Sequence, residues 1–241
     1  MSFTNKVVVI ACFLVLLVPL ISLSTYAYDV VVFEQYDTSY YLQSGKLIVE
    51  KDLILQNTGN NPIIPGELHF KLYQQDGDKI EPAKITELVA TSNANDLTAR
   101  VDSFDDYSDL VVHVWNPLLP GFNFPISISY EMDFRPKGIL FHELAFPIEE
   151  TTIPVQESST SLMLPKQYKV TYAPSAEITE DNAYRVVNWN DDEEFAIEYT
   201  VLPLPRVPFR MVSVFWLIVL LILGTVFIFL NMKRPNSKHK K

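Results

Sequence analysis

Cysteine is almost missing from this chain: Cys12 is the only one in 241 residues. A disulfide framework is thereby excluded, so any external domain must be held by its core. Glycine is scarce too, seven in all, and no Gly-rich loop able to cradle a phosphate occurs. No Asn-x-Ser/Thr acceptor is present, because Asn57-Thr58-Gly59 and Asn236-Ser237-Lys238 both miss the spacing. Lacking both devices, the chain suits a prokaryotic, archaeal-like cell surface better than a secreted eukaryotic one. Nucleophilic signatures are absent as well, with no G-x-S-x-G elbow and no thiol beyond residue 12.

Charge is missing where it matters most. Val212–Leu230 (VSVFWLIVLLILGTVFIFL) holds no ionisable residue and no proline. Nineteen residues at ~1.5 Å rise span roughly 30 Å, the hydrocarbon thickness of a bilayer. This predicts a transmembrane helix over 211–231. Gly224 has no G-x-x-x-G partner, so the helix reads as a plain anchor. The tail 232–241 carries Lys233, Arg234, Lys238, Lys240 and Lys241. The positive-inside rule therefore places the C-terminus in the cytosol and the preceding body outside the cell. The first 27 residues fit the same topology: Lys6 precedes an apolar run to Leu23, with Thr25 and Ala27 before a cleavage point at Tyr28. That is the layout of a signal peptide, with an uncleaved anchor as the alternative.

The body between them is acidic. All 29 Asp and Glu lie between Asp29 and Glu198, whereas residues 29–210 hold 13 Lys and Arg, a net charge of about −16. Such a surface repels phosphate backbones and argues against nucleic acid as a partner.

Its patterning is that of β-sheet. Ile126–Phe134 alternates strictly, with Ile126, Ile128, Tyr130, Met132 and Phe134 opposed by Ser127, Ser129, Glu131 and Asp133. Gly66–Tyr73 repeats the pattern. Further strands are expected at 29–36, 46–55, 110–115, 160–164, 168–172, 184–189 and 195–201. Asn57–Pro62, Gln75–Asp78 and Leu119-Pro120-Gly121 supply turn chemistry between them. Ile85–Ala94 is the only stretch with a weak helical period. The expected fold class is all-β: one or two antiparallel β-sandwich, Ig-like domains, the first over 28–135 and the second over 136–202, separate or fused. Pro147–Pro154 is expected to cross between the halves. Residues 203–210, with three prolines, read as a stiff stalk that keeps the body close to the bilayer.

Candidate chemistry is thin. His142-Glu143-Leu144-Ala145-Phe146 begins like the zinc-protease H-E-x-x-H but ends on Phe, which removes one of the paired ligands. His69, His113 and His142 show no metal-ligand spacing. Asp102, Asp105, Asp106 and Asp109 offer oxygen ligands at the density calcium accepts, although without an EF-hand's glycine and terminal glutamate. The alternative is a solvated loop. Asn190–Glu194 is a similar acidic turn. No cofactor and no catalytic residue is expected.

The order Ile54-Leu55-Gln56-Asn57-Thr58-Gly59, Pro62-Ile63, Leu118-Leu119-Pro120-Gly121 leading into Ile126–Tyr130, Phe146-Pro147-Ile148 and Ser161-Leu162-Met163-Leu164-Pro165 resembles the luminal part of ribophorin I-type oligosaccharyltransferase subunits. It is also similar to archaeal membrane-anchored β-sandwich proteins. The likeness covers residues 45–175. It implies a signal peptide, tandem sandwiches, one C-terminal helix and an accessory, non-catalytic role in a membrane complex. This chain is much shorter than ribophorin and lacks its extensions. The expectation is a non-enzymatic single-pass surface protein that binds or scaffolds another membrane or envelope protein. The alternatives are a glycosyltransfer accessory subunit, or a membrane-tethered hydrolase with an unrecognised site.

Overall fold

The computed structural model describes residues 30–232 apart from 44, 77–78, 135, 182 and 191–194. The expected signal peptide over 1–27 and the basic tail beyond residue 232 lie outside the described residues. What is described is a β body followed by one helix.

The body is organised by one wide sheet. β1 (Val31–Gln43) is the strand on which it turns. Along one edge β1 pairs antiparallel with β2 (Lys46–Asn57), and along the other it pairs parallel with β12 (Val155–Pro165). Outward from β2 follow β9 (Asn123–Asp133), β5 (Ile85–Ser92) and β6 (Asn95–Leu97). Outward from β12 follow β15 (Tyr184–Asn190) and β14 (Glu177–Glu180), eight strands in all. Residues on both sides of position 136 therefore share a single sheet.

Alternation decides which face is buried. In β9 the side chains of Ile126, Ile128, Tyr130 and Met132 are buried at 1–3% exposure, while Ser127 and Ser129 face out. The inner face is covered by two smaller sheets. One contains β3 (Gly66–Asp76), β8 (Ser108–Val114), β7 (Ala99–Ser103), β11 (Ile148–Thr151) and β4 (Lys79–Pro82). The other contains β10 (His142–Ala145), β16 (Ala196–Thr200) and β13 (Lys169–Tyr172). Phe33 of β1 meets Phe70 of β3 with ring centroids 6.0 Å apart, and Trp189 of β15 meets Phe146 at 5.6 Å. Each fully buried ring of this size contributes roughly 1.5–3 kcal/mol by leaving water.

Two stretches read differently in three dimensions. Ile85–Ala94, the one weak helical candidate, is strand β5 followed by a turn in which Asn93 and Ala94 have φ of 48° and 64°. Its register against β9 slips between Thr86 and Val89, where Glu87 has φ of 53°. That bulge breaks the period of two and imitates a helical spacing. Pro147–Pro154, expected as a link without strand, contributes β11, which pairs with β3.

The helix α1 (Met211–Met232) carries no charged residue. Met211–Phe229 has a mean hydropathy of 2.8 and none of it is buried in the body, so it is long and apolar enough to cross a membrane. Its start is held by Glu198, a β16 residue only 1% exposed. The Glu198 carboxylate accepts the backbone N–H groups of Met211 at 2.9 Å and Val212 at 2.8 Å, and the Thr171 hydroxyl donates to it at 2.6 Å. A helix N-terminus exposes unpaired amides and the positive end of its dipole, and a buried carboxylate satisfies both. The proline-rich 203–210 stretch is laid against the body rather than standing free. The Val207 N–H donates to Thr171 O at 2.8 Å, the Arg206 guanidinium to the carbonyls of Ala173 and Ala176, and Arg210 pairs with Glu143 at 3.1 Å.

Replacing Glu198 with Ala removes both amide acceptors and is expected to cost about 1–2 kcal/mol locally. Amide hydrogen exchange at residues 207–215 should then speed up by about tenfold or more. Exchange in β9 should stay slow, and Glu198→Gln should fall between the two.

Candidate functional site

Two places in the body concentrate groups that the fold itself does not require to be exposed. The first is the end where β2 stops and β9 begins. Asn57, the last residue of β2, is completely buried. Its side-chain amide donates to the carbonyls of Asn61 and Leu118, both at 2.9 Å, and its Oδ1 accepts the Gly59 N–H at 2.9 Å. One short side chain thus closes an Asx turn and ties it to a second loop. The backbones of Ile63 and Leu118 exchange hydrogen bonds of 3.1 and 2.7 Å, and the Gly121 N–H donates to Asn57 O at 2.9 Å. Loops 58–65 and 115–122 are therefore locked together.

These locked loops display Ile64, Trp115, Leu119 and Phe122 at 45–62% exposure. Gly66 has φ of 80°, and a Cβ there would stand 3.8 Å from the Trp115 ring. The indole N–H of Trp115 donates to His113 Nδ1 at 3.3 Å, which orients the ring on the surface. Large apolar side chains on rigid loops form a surface suited to another apolar surface. In the sequence these residues stood out only as company for turn signals. Four large apolar residues placed where chain reversal demands polar ones was the available clue.

The second place is the seam between the two smaller sheets. Above β1 and β12 it leaves a cleft of about 700 Å³. Tyr36, Thr38, Tyr40, Ser158 and Thr160 form its floor, β11 one wall, and β10 with β16 the other. Beside the floor, on β2 opposite Thr38, lies Lys51, whose side chain is fully buried. Its ammonium donates to Glu149 and, at 3.3 Å, to Thr38, and sits 5.1 Å from the centre of the Tyr36 ring. The Tyr36 hydroxyl donates to the other Glu149 oxygen. A lysine in the core of a sheet is tolerated only because these partners replace its water. Burial pushes the Tyr36, Tyr40 and Tyr130 hydroxyls well above their ordinary value of 10.0, and the Glu149 charge adds to each shift. Every lining carboxylate is engaged: Glu149 by Lys51 and Tyr36, Glu143 by Arg210, and Glu198 by the helix amides.

The residues singled out in the sequence fall elsewhere. Asp102 and Asp109 sit opposite each other in the β7–β8 register, joined by the turn that carries Asp105 and Asp106. Asp102 accepts from Arg100 Nε at 3.0 Å, and Asp109 lies 2.9 Å from His69 Nδ1. Among the described residues no group of three or more His, Cys, Asp or Glu is placed to hold a metal ion. His69 and His113 both flank Glu67, at 3.6 and 3.7 Å. The Arg100 guanidinium, bonded to Glu67, holds that carboxyl below the ordinary range. His142 lies apart from them on β10, opposite Tyr199 of β16. The His142–Phe146 run is extended over its first four residues, and the acidic turn after Asn190 lies outside the described residues.

Two measurements follow from the seam. Glu149→Leu leaves the Lys51 ammonium buried without its counter-charge and should cost about 3–5 kcal/mol in urea unfolding, with Lys51→Met in the same chain restoring most of the loss. The buried tyrosines hold their protons more tightly folded than unfolded. Their contribution is therefore intact below pH 10 and is lost as pH rises beyond it. Absorbance near 295 nm should show exposed tyrosines ionising first and Tyr36, Tyr40 and Tyr130 only as the body unfolds.

No family model matches this chain. It is 29% identical over 143 residues to an uncharacterized protein of Methanocaldococcus jannaschii, a match that covers 58% of this chain and all of that protein. Among solved structures, a Legionella pneumophila protein named for nutrient binding aligns over 71% of this chain and 67% of its own, with 8% identity and a TM-score of 0.49. An M1 zinc metallopeptidase of Deinococcus radiodurans aligns over 70% of this chain at 11% identity and a TM-score of 0.44. This chain spans 42% of that enzyme, and likeness at this level transfers neither activity nor ligand.

Proposed function

We propose that this chain is a non-enzymatic, single-span membrane protein whose external β-sandwich body binds another membrane or envelope protein through the apolar loops at its Asn57 end. The observation that carries this reading is the set Ile64, Trp115, Leu119 and Phe122, exposed on two loops that a buried asparagine clamps together. A buried amide spent on holding surface loops still lowers the entropy cost of docking a partner. Tryptophan and phenylalanine are also the side chains through which such contacts are made strong.

The geometry of the anchor supports the same reading. The loops join the first residue of β9, whereas the chain beyond its last residue leads to the segment beside α1. With α1 in the bilayer and the lysine-rich tail in the cytosol, the body stands outside, one end on the membrane and the apolar end presented away from it. The Glu198 clamp holds that end at a defined height. A partner protein with an apolar face is the occupant this arrangement fits.

Photo-crosslinking in intact membranes tests it. A photoreactive residue at Leu119 should give one discrete adduct that the same residue at Ile80, an exposed apolar position on β4, does not give. Trp115→Asp together with Phe122→Asp should reduce that adduct by roughly thirtyfold, the loss expected when a hot spot worth about 2 kcal/mol or more is removed. A chain that remains monomeric and uncrosslinked from Leu119 in its own membrane overturns the reading.

A further inference from the structure

Around the point where α1 leaves the body, a second group of large apolar side chains faces outward. Ile139 is 83% exposed, and Leu140, Val201, Leu202 and Phe209 are exposed beside it in the fold. Ile139 and Leu140 lie on the connection into β10, and Val201 and Leu202 on the corner after β16. The two segments are tied together: the Thr200 hydroxyl donates to the Leu140 carbonyl at 2.7 Å and accepts the Leu202 N–H at 3.2 Å. Gly138, with φ of 110°, sets the bend that turns Ile139 outward; a Cβ there would collide with the Phe141 carbonyl.

Phe141 fixes their depth. Its ring packs 6.3 Å from that of Phe215, the fifth residue of α1. At ~1.5 Å per residue, the body reaches about 6 Å down the helix axis from Met211. The apolar stretch of α1 begins at Met211 itself, so a loop that touches Phe215 stands at the boundary between headgroups and acyl chains. Of the charges beside the helix start, Arg210 and Glu143 are paired with each other at 3.1 Å, and Glu198 is taken up by the first helix amides.

We propose that Ile139, Leu140, Val201 and Leu202 form a lipid-inserted collar, a second membrane contact whose partner is the bilayer surrounding α1. It rests on the reading that α1 spans a membrane. The collar buries side chains that water would otherwise surround, much as an interfacial helix buries its apolar face 5–10 Å deep. Together with the Glu198 clamp it resists tilt of the body, because apolar contacts inserted on one side of α1 oppose tilt towards the other.

The test uses the full-length chain with Cys12→Ser, reconstituted in phosphatidylcholine vesicles. Single cysteines at Ile139→Cys, Val201→Cys, Val89→Cys and Leu220→Cys carry an environment-sensitive dye. Lipids spin-labelled near the headgroup serve as quenchers. Positions 139 and 201 should be quenched at least about twofold more than position 89, an exposed site on β5, and their emission should shift to the blue. If 139 and 201 behave like 89 while position 220 reports a lipid environment, the collar is wrong and the membrane span stands. If position 220 also reports water, the span itself fails and the collar with it.

Discussion

β1 is hydrogen-bonded along both edges, to β2 in one direction and to β12 in the other, and much of the architecture follows from that. By joining strands that lie before residue 136 to strands that lie after it, it makes a sheet eight strands wide. A twisted sheet of that width is not covered by one small sheet, so two cover it, and a seam opens between them. Lys51 and Glu149 meet in that seam because its floor comes from the wide sheet and its wall from β11. The polar core is therefore a consequence of the topology, and the ion pair settles how β11 seats against β1 and β2.

The same seam also organises the route to the helix. β16 forms its far wall, and Glu198 on β16 reaches the first amides of α1. Arg210, Val207 and Arg206 fasten the intervening prolines to β10, to β13 and to the turn after β13. A flexible tether would let the body sample many orientations, whereas these bonds leave few. The two apolar surfaces then gain meaning from their positions: one lies beside the helix start, and the other crowns the end of β9 where its chain enters.

Much of the β pattern was legible. Ile126–Phe134 and Gly66–Tyr73 alternate cleanly because each has one face in the core and one in water. Val31–Gln43 was harder: Phe33 is followed by a bulge, and its later inward positions are Tyr36, Thr38 and Tyr40, which read as polar alternation. Lys51 gave no warning at all. A lysine between Glu50 and Asp52 looks solvated, and the counter-charge that makes its burial tolerable comes from Glu149, 98 residues away. Asp102, Asp105, Asp106 and Asp109 illustrate the reverse, since close spacing in sequence did not become convergence in space. The antiparallel register of a hairpin set Asp102 against Asp109, while Arg100 bonds one oxygen of Asp102 and His69 one oxygen of Asp109.

The amino-acid order alone determined the apolar helix, the acidic body and the strand faces, because hydrophobic length and period are local properties of a chain. It could not determine which strands would be neighbours: the parallel join of β1 to β12 depends on residues more than a hundred positions apart. Tertiary structure alone decided that Asn57 would clamp two loops, that Glu198 would fold back on the amides of the helix that follows it, and that exposed apolar residues would collect at two ends. Those outcomes arise from buried polar groups seeking partners wherever the packed chain brings them, a requirement that sequence spacing does not record.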